Sequence, residues 1–310
     1  MTDTTVTEDC APRSRRGSGG RAARKAARAA PLPDNMRPVR PGLEGGTFRP
    51  FSDGDMDKIH NTAMRALEEV GLADAPPSGV EILKNAGAVQ GDDGRIRFSR
   101  ALVEDMVAIA ARDITLHGQD QQYDIRPGGH RVHYGTAGAA VFVYDPVTRE
   151  NREPTVQDLY NSARIVDTLD NIHFFQRTLT PRDTVDPRDM DLNTLYACVS
   201  GTTKHAGTSF TTAENAARGL EMLHMIAGSE KAWRERPFVS NSNCFVVPPM
   251  KFATESCLVM ETLIRGGMPI LLLSAGQAGA TAPAPLAGAV VQAVAECLAG
   301  VVYVNAMQPG

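Results

Sequence analysis

From residue 155 onward, short apolar runs alternate with longer segments in which apolar residues recur every three or four positions. The first pattern predicts strands and the second amphipathic helices. Strands are expected at 172–176, 205–210, 238–241 and 270–273, with helices at 192–199, 211–227 and 252–264 between them. Strands spaced by helices of this length pair in parallel through right-handed crossovers. The run Ile270, Leu271, Leu272, Leu273 is unbroken, the pattern of a parallel strand buried on both faces. Ser274, Gly276, Gln277, Gly279 and Thr281 then form a permissive loop, and small apolar residues from Leu286 onward predict a closely packed helix. A sixth strand is expected to open at 301–304.

Upstream the rhythm differs. Ser52 has the position of a helix N-cap, and Ile59, Ala63, Leu67 and Val70 follow at helical spacing until Gly71. Ser78 and Glu81 predict a capping box for a second helix, and Ser99 a cap for a third carrying Leu102, Met106, Ile109 and Ala110. Residues 114–144 break into short strand-like pieces separated by glycine and proline. Thr155 and Asp158 then predict a capping box opening a helix with Leu159, Ala163, Ile165 and Val166.

The chain of 310 residues is long enough for one large α/β barrel or two ordinary domains. Residues 1–40 hold nine Lys or Arg against four Asp or Glu, whereas the remainder holds 23 against 32. The three parts expected are a disordered basic tail at 1–40, a helical and small-β module at 41–132, and a partial (β/α) barrel at 133–310. An acidic body without interleaved basic and aromatic residues argues against nucleic acid as a partner. No secretory pattern opens the chain, and the Leu286 helix is interrupted by Gln292 and Glu296, so a cytoplasmic protein that does not bind membranes is expected. Five scattered cysteines without a CxxC pair signal neither a disulfide framework nor a zinc site, and no bound metal is expected.

No GxGxxG with a following acid and no GxxxxGK[ST] occurs, which disfavours a doubly wound nucleotide-binding sheet and leaves a TIM-type (β/α)8 barrel. Only about five of its eight units can be counted. The chain is therefore expected to be incomplete at its C-terminus, with an α-rich extension at its N-terminus.

The segments Gly266-Gly-Met-Pro-Ile270, Gly279-Ala-Thr-Ala-Pro-Ala-Pro-Leu-Ala-Gly288 and Ala295-Glu-Cys-Leu-Ala-Gly300, with Thr203-Lys-His205 and His133-Tyr-Gly-Thr136, resemble the trimethylamine methyltransferase family. The resemblance covers most of the chain outside the basic tail. It implies a TIM barrel that moves a methyl group from a tertiary or quaternary amine, trimethylamine or a glycine-betaine-like compound, to the cobalt of a corrinoid (cobalamin) carried by a partner protein. Within that family the Ala- and Arg-rich composition points to the bacterial branch that lacks pyrrolysine, whose position falls beyond Gly310. A homo-oligomer is expected. The alternatives are a barrel lyase or isomerase acting on a small polar metabolite, and a ligand-binding paralogue without turnover.

In a barrel, ligand groups stand at the C-terminal ends of strands. That rule selects Tyr134, Gln176, Asn241, Asn243, Ser274 and Gln277 as substrate-binding candidates, with Thr136 and Arg177 beside them; His205, at the start of its strand, joins them on the resemblance. No catalytic acid or base is assigned. Tyr134, Phe175 and Phe245 are candidates for an aromatic cage around a quaternary ammonium, each with plain core packing as the alternative.

Overall fold

The computed structural model describes residues 43–184 and 186–310. The expected basic tail lies outside the described residues. Helix α1 (Asp53–Arg65) starts where Ser52 Oγ accepts the Asp55 N–H, and it continues into a π-helical turn, Ala66–Val70. Helix α2 (Pro77–Asn85) begins one residue before the expected cap, with Pro76 in that place. Ser78 is thus inside the first turn, and its hydroxyl donates instead to Glu261 at 2.8 Å. Helix α3 (Arg100–Ile109) is capped by Ser99 as its sequence predicts. Its buried face is Leu102 and Val103, while Ile109 is exposed.

Short antiparallel pairs occupy the connections: β1 (Leu43–Glu44) with β4 (Arg131–Val132), β2 (Val89–Gln90) with β3 (Ile96–Arg97), and β5 (Val143–Tyr144) with β6 (Asn151–Arg152). Helix α4 (Val156–Asp167) opens with the complete Thr155–Asp158 capping box. Then come β7 (Phe175–Gln176), α5 (Met190–Gly201), β8 (Ala206–Thr208), α6 (Ala213–Ala227), α7 (Glu230–Glu235) and β9 (Val239–Asn243). A hairpin of β10 (Val246–Val247) and β11 (Lys251–Phe252) leads to α8 (Thr254–Arg265), β12 (Ile270–Leu272) and α9 (Leu286–Met307). The cap of α6 is Thr212, one residue later than the sequence suggests, because Thr211 is drawn to Asp191 through both its N–H and its hydroxyl, each at 2.7 Å.

Strands β7, β8, β9 and β12 form one parallel sheet in that order, and residues 135 and 140 bridge in parallel to 174 and 179 on the free side of β7. Strand order follows chain order without reversal. Phe175, Ala206 and Val239, lateral neighbours in the register, are buried in one core with Leu159, Leu195, Leu220 and Leu263 from α4, α5, α6 and α8. Helices therefore cover that face of the sheet.

Strand β12 is not buried on both faces. Leu271 is 37% exposed, since β12 is the sheet's terminal strand and pairs only with β9. No strand opens at 301–304 either; those residues continue α9, whose Ala295, Ala299, Val302 and Tyr303 recur at helical spacing and pack with α1, α2 and α3. Helix α9 is long and apolar enough by composition to span a bilayer, yet it buries Gln292 and Glu296 inside the protein.

Buried charges join these layers. Glu261 of α8 accepts Tyr303 Oη at 2.7 Å, Ser78 Oγ at 2.8 Å and Arg265 at 3.0 Å, which ties α2, α8 and α9 together. Burial, with the adjacent Glu261, pushes the Tyr303 phenol up. Lys204 is buried, and its Nζ donates to the carbonyls of Val166, Leu169 and Ile172, each at 2.8 Å, closing the C-terminus of α4. Lys204→Met leaves three carbonyls short of a donor and is expected to lower unfolding stability by about 3 kcal/mol in urea denaturation; a loss below about 0.5 kcal/mol would show that the lysine is not structural.

Candidate functional site

Side chains alternate between the two faces of a strand. With Phe175, Ala206 and Val239 directed at the helices, Gln176, Gly207 and Ser240 are directed at the opposite, uncovered face, and Ser242 and Leu271 follow them. Gln176 is half-buried at the C-terminal end of β7. Its main chain is pinned by Thr136, whose Oγ1 donates to the Gln176 carbonyl at 2.5 Å and accepts its N–H at 2.8 Å. The Gln176 carboxamide lies over Gly207, where an added Cβ would overlap its Oε1. Ser242 Oγ donates to that Oε1 at 3.2 Å. An amide and a hydroxyl are thereby brought together from two strands at the end where α/β folds bind ligands.

Lower on the same face the N-terminal end of the sheet is closed by residues 116–125, which bend back through an antiparallel bridge between Leu116 and Ile125. Arg236 grips Asp124 with both terminal nitrogens, at 3.0 and 2.8 Å, and Asp124 also meets His117 Nδ1 at 3.1 Å. Burial raises the Asp124 carboxyl, but the bonds from Arg236, His117 and Gly118 N–H outweigh it and hold the pKa below its ordinary value. His205 belongs to this closure. Its Nδ1 donates to the His117 carbonyl at 2.8 Å, which leaves Nε2 to accept from Ser240 Oγ at 2.9 Å. Both ring nitrogens are used and the ring is 1% exposed, so His205 has nothing left for a substrate. Burial pushes its pKa down to about 4.

The other candidates are dispersed. Tyr134 lies outside any strand, joined to His173 through the His173 N–H and the Tyr134 carbonyl at 2.7 Å, and is half-exposed. Phe175 is in the helix-side core, and Phe245 is in a second core against Phe252. The three aromatics therefore do not form a cage. Asn241 and Asn243 share the helix-side parity of Val239 and are buried; Asn243 Nδ2 donates to Ser256 of α8 at 3.1 Å. Ser274 donates its hydroxyl to the buried carboxylate of Glu296. Glu296 also accepts Met250 N–H at 2.8 Å and Gln292 Nε2 at 3.1 Å, so one carboxylate fixes the start of the loop after β12. Gln277 shapes that loop through its backbone, its carbonyl taking the N–H of Ala280, Thr281 and Ala282, while its side chain is exposed. Of the seven, Gln176 alone joins the uncovered face near the strand ends; Ser242 and Gly207 complete the group, and Glu296 supports the neighbouring loop.

On the helix side, Arg177, Thr208 and Asn241 form one lateral row. Burial draws the Arg177 guanidinium's pKa down, with Cys198 and Asp191 opposing. Asp191 Oδ2 is satisfied by Thr211 and by Asn215 Nδ2 at 3.0 Å, which joins the start of α5 to that of α6. Thr208 Oγ1 and both polar atoms of the Asn241 side chain are buried and lack a hydrogen-bond partner.

Two consequences are measurable. In the unfolded chain His205 takes up a proton near pH 6.5, whereas the folded chain resists until about pH 4. Its contribution is therefore fully present above pH 6.5 and is lost as the pH falls from 6.5 to 4, on the order of 3 kcal/mol in total. Denaturation across that range should show a shallower pH slope for His205→Asn than for the parent; parallel slopes would exclude His205 as the source. Thr208→Val, nearly isosteric, removes a buried hydroxyl that has no partner and is expected to raise stability by about 1 kcal/mol. A drop of similar size in thermal unfolding would mean that the hydroxyl is bonded in solution.

Comparison with known proteins identifies relatives of the chain. Residues 17–310 match the family described as trimethylamine methyltransferase. A trimethylamine methyltransferase of Desulfitobacterium hafniense is 30% identical over 261 residues, covering 84% of this chain and 52% of the relative. A glycine betaine methyltransferase of the same species is 26% identical over 262 residues, 84% of this chain and 54% of the relative. A trimethylamine methyltransferase of Methanosarcina mazei is 25% identical over 273 residues, 86% and 55% respectively. The chain spans about half the length of the curated relatives it matches. With a match across nearly all of its residues and a one-directional parallel sheet carrying polar groups at its strand ends, the chain belongs to the trimethylamine methyltransferase family.

Proposed function

We propose that this chain carries the amine-binding part of a methyltransferase that moves a methyl group from a tertiary or quaternary amine to the cobalt of a corrinoid held by a partner protein. The observation that carries the reading is the family match over residues 17–310, joined to relatives named for trimethylamine and for glycine betaine. Strand order equal to chain order, with the helices on one face, supports a (β/α)8 barrel of which residues 133–310 form about five units. The absence of a pyrrolysine requirement, a cytoplasmic location and a homo-oligomeric state belong to the same proposal.

The chemistry places modest demands on these residues. The carbon–nitrogen bond breaks with its electron pair remaining on nitrogen, and the methyl group bonds to cobalt(I), giving methylcobalt(III) and an amine with one methyl fewer. A quaternary nitrogen leaves as a neutral amine without prior protonation, and a tertiary amine does so when it reacts as its ammonium ion, whose proton stays on the departing amine. The protein must hold the amine, exclude water and leave one side open to the carrier. Gln176 and Ser242 supply fixed polar contacts on the uncovered face, and Leu271 beside them supplies apolar surface suited to methyl groups.

Incubation of the full-length protein with cob(I)alamin and either glycine betaine or trimethylamine is expected to give methylcob(III)alamin, read by its absorbance change, together with the demethylated amine, whereas residues 1–310 alone, with about five of eight units, are expected to show weak or no turnover. Inactivity across a panel of methylated amines and betaines, with thermal stabilisation by one of them, would favour a ligand-binding paralogue. Inactivity without any such stabilisation would favour a lyase or isomerase.

A further inference from the structure

We propose that Gln176 reads a carboxylate, so that the preferred substrate is a betaine, a quaternary ammonium carrying its own acid group, rather than a simple methylamine. This inference rests on the amine-binding reading above and narrows it. Ser242 Oγ donates to Gln176 Oε1, which sets the carboxamide with its acceptor end on the protein and its NH2 end unengaged among the described residues. Gly207 makes that placement possible, because any Cβ would displace the amide. Thr136 holds the backbone beneath it from the other side. Three residues, from β8, β9 and the segment bridged to β7, thus fix one donor group.

Charge points the same way. Among the described residues, the side chains that alternation directs to this face near the strand ends include Gln176, Ser209, Ser242 and Leu271, none of them charged. The aromatics Phe175 and Phe245 are buried in cores away from this face. A bare alkylammonium finds no counter-charge among these side chains. A zwitterion brings its own neutrality, and a neutral amide N–H donating to a carboxylate makes a charge-assisted hydrogen bond. Sites built around such a bond reject analogues that lack the acceptor, because the donor is left unpaired.

The test uses Gln176→Leu and Gly207→Ala beside the parent, each in the full-length protein, with Thr208→Val as a control for folding. Binding of glycine betaine and of trimethylamine is measured by calorimetry, and methyl transfer to cob(I)alamin is followed with each amine. The parent is expected to bind glycine betaine the more tightly, and both site variants to lose about tenfold or more on glycine betaine while changing less than about threefold on trimethylamine. Equal losses on both amines, or a parent that does not bind glycine betaine, would overturn the carboxylate assignment. Betaine binding that depends on Gln176 in a protein without methyl transfer would uphold the assignment and remove the methyltransferase reading. If Gly207→Ala fails to fold, the split between the two amines in Gln176→Leu still decides.

Discussion

Alternation of side chains along a strand is the constraint on which this site depends. Burial of Phe175, Ala206 and Val239 beneath α4, α5, α6 and α8 fixes which face of each strand meets the helices, at roughly 1.5–3 kcal/mol for each large apolar side chain. Once those three are placed, Gln176, Gly207, Ser240 and Ser242 have no choice of direction. A slip of one residue in β7 would bury Gln176 under a helix and expose Phe175. The polar group at the strand ends is therefore positioned by apolar packing on the other side of the sheet.

Around that sheet, buried charges hold separate elements in register. Lys204 closes α4, Glu261 joins α2, α8 and α9, and Glu296 joins α9 to the loops at Met250 and Ser274. Each is hydrogen-bonded to several groups, the condition under which a buried charge is tolerable. The row of Arg177, Thr208 and Asn241 is different in kind. It places unpartnered polar atoms where apolar ones would pack without penalty.

Much of the fold was legible. The capping signals at Ser52, Ser99 and Thr155 work as read because a hydroxyl before a helix satisfies an otherwise orphan N–H. The parallel alternation was legible from helix spacing. Parity was not: after Val239 the strand runs Ser240, Asn241, Ser242, Asn243, a sequence without apolar alternation, so either face suits it until the register with Ala206 is known. This is why Asn241 and Asn243 were drawn to the site and Ser242 was missed. His205 could not be recognised as part of a closure, because its partners His117 and Ser240 are 88 and 35 residues away. Gly207 leaves no signal in a run of small residues. Glu296 did leave one, as a carboxylate inside an apolar helix, though its partners in the loops were not readable.

The candidate binding surface rests on the assignment of faces. The most direct measurement is the reactivity of two adjacent positions, Asn241→Cys and Ser242→Cys, each in a background with the native cysteines replaced by alanine. Under native conditions the cysteine at 242 should be modified by a small thiol reagent at least about tenfold faster than the one at 241, which should react only as the protein opens. A cysteine at 241 that reacts as fast as the one at 242 would contradict the assignment of faces and, with it, the site.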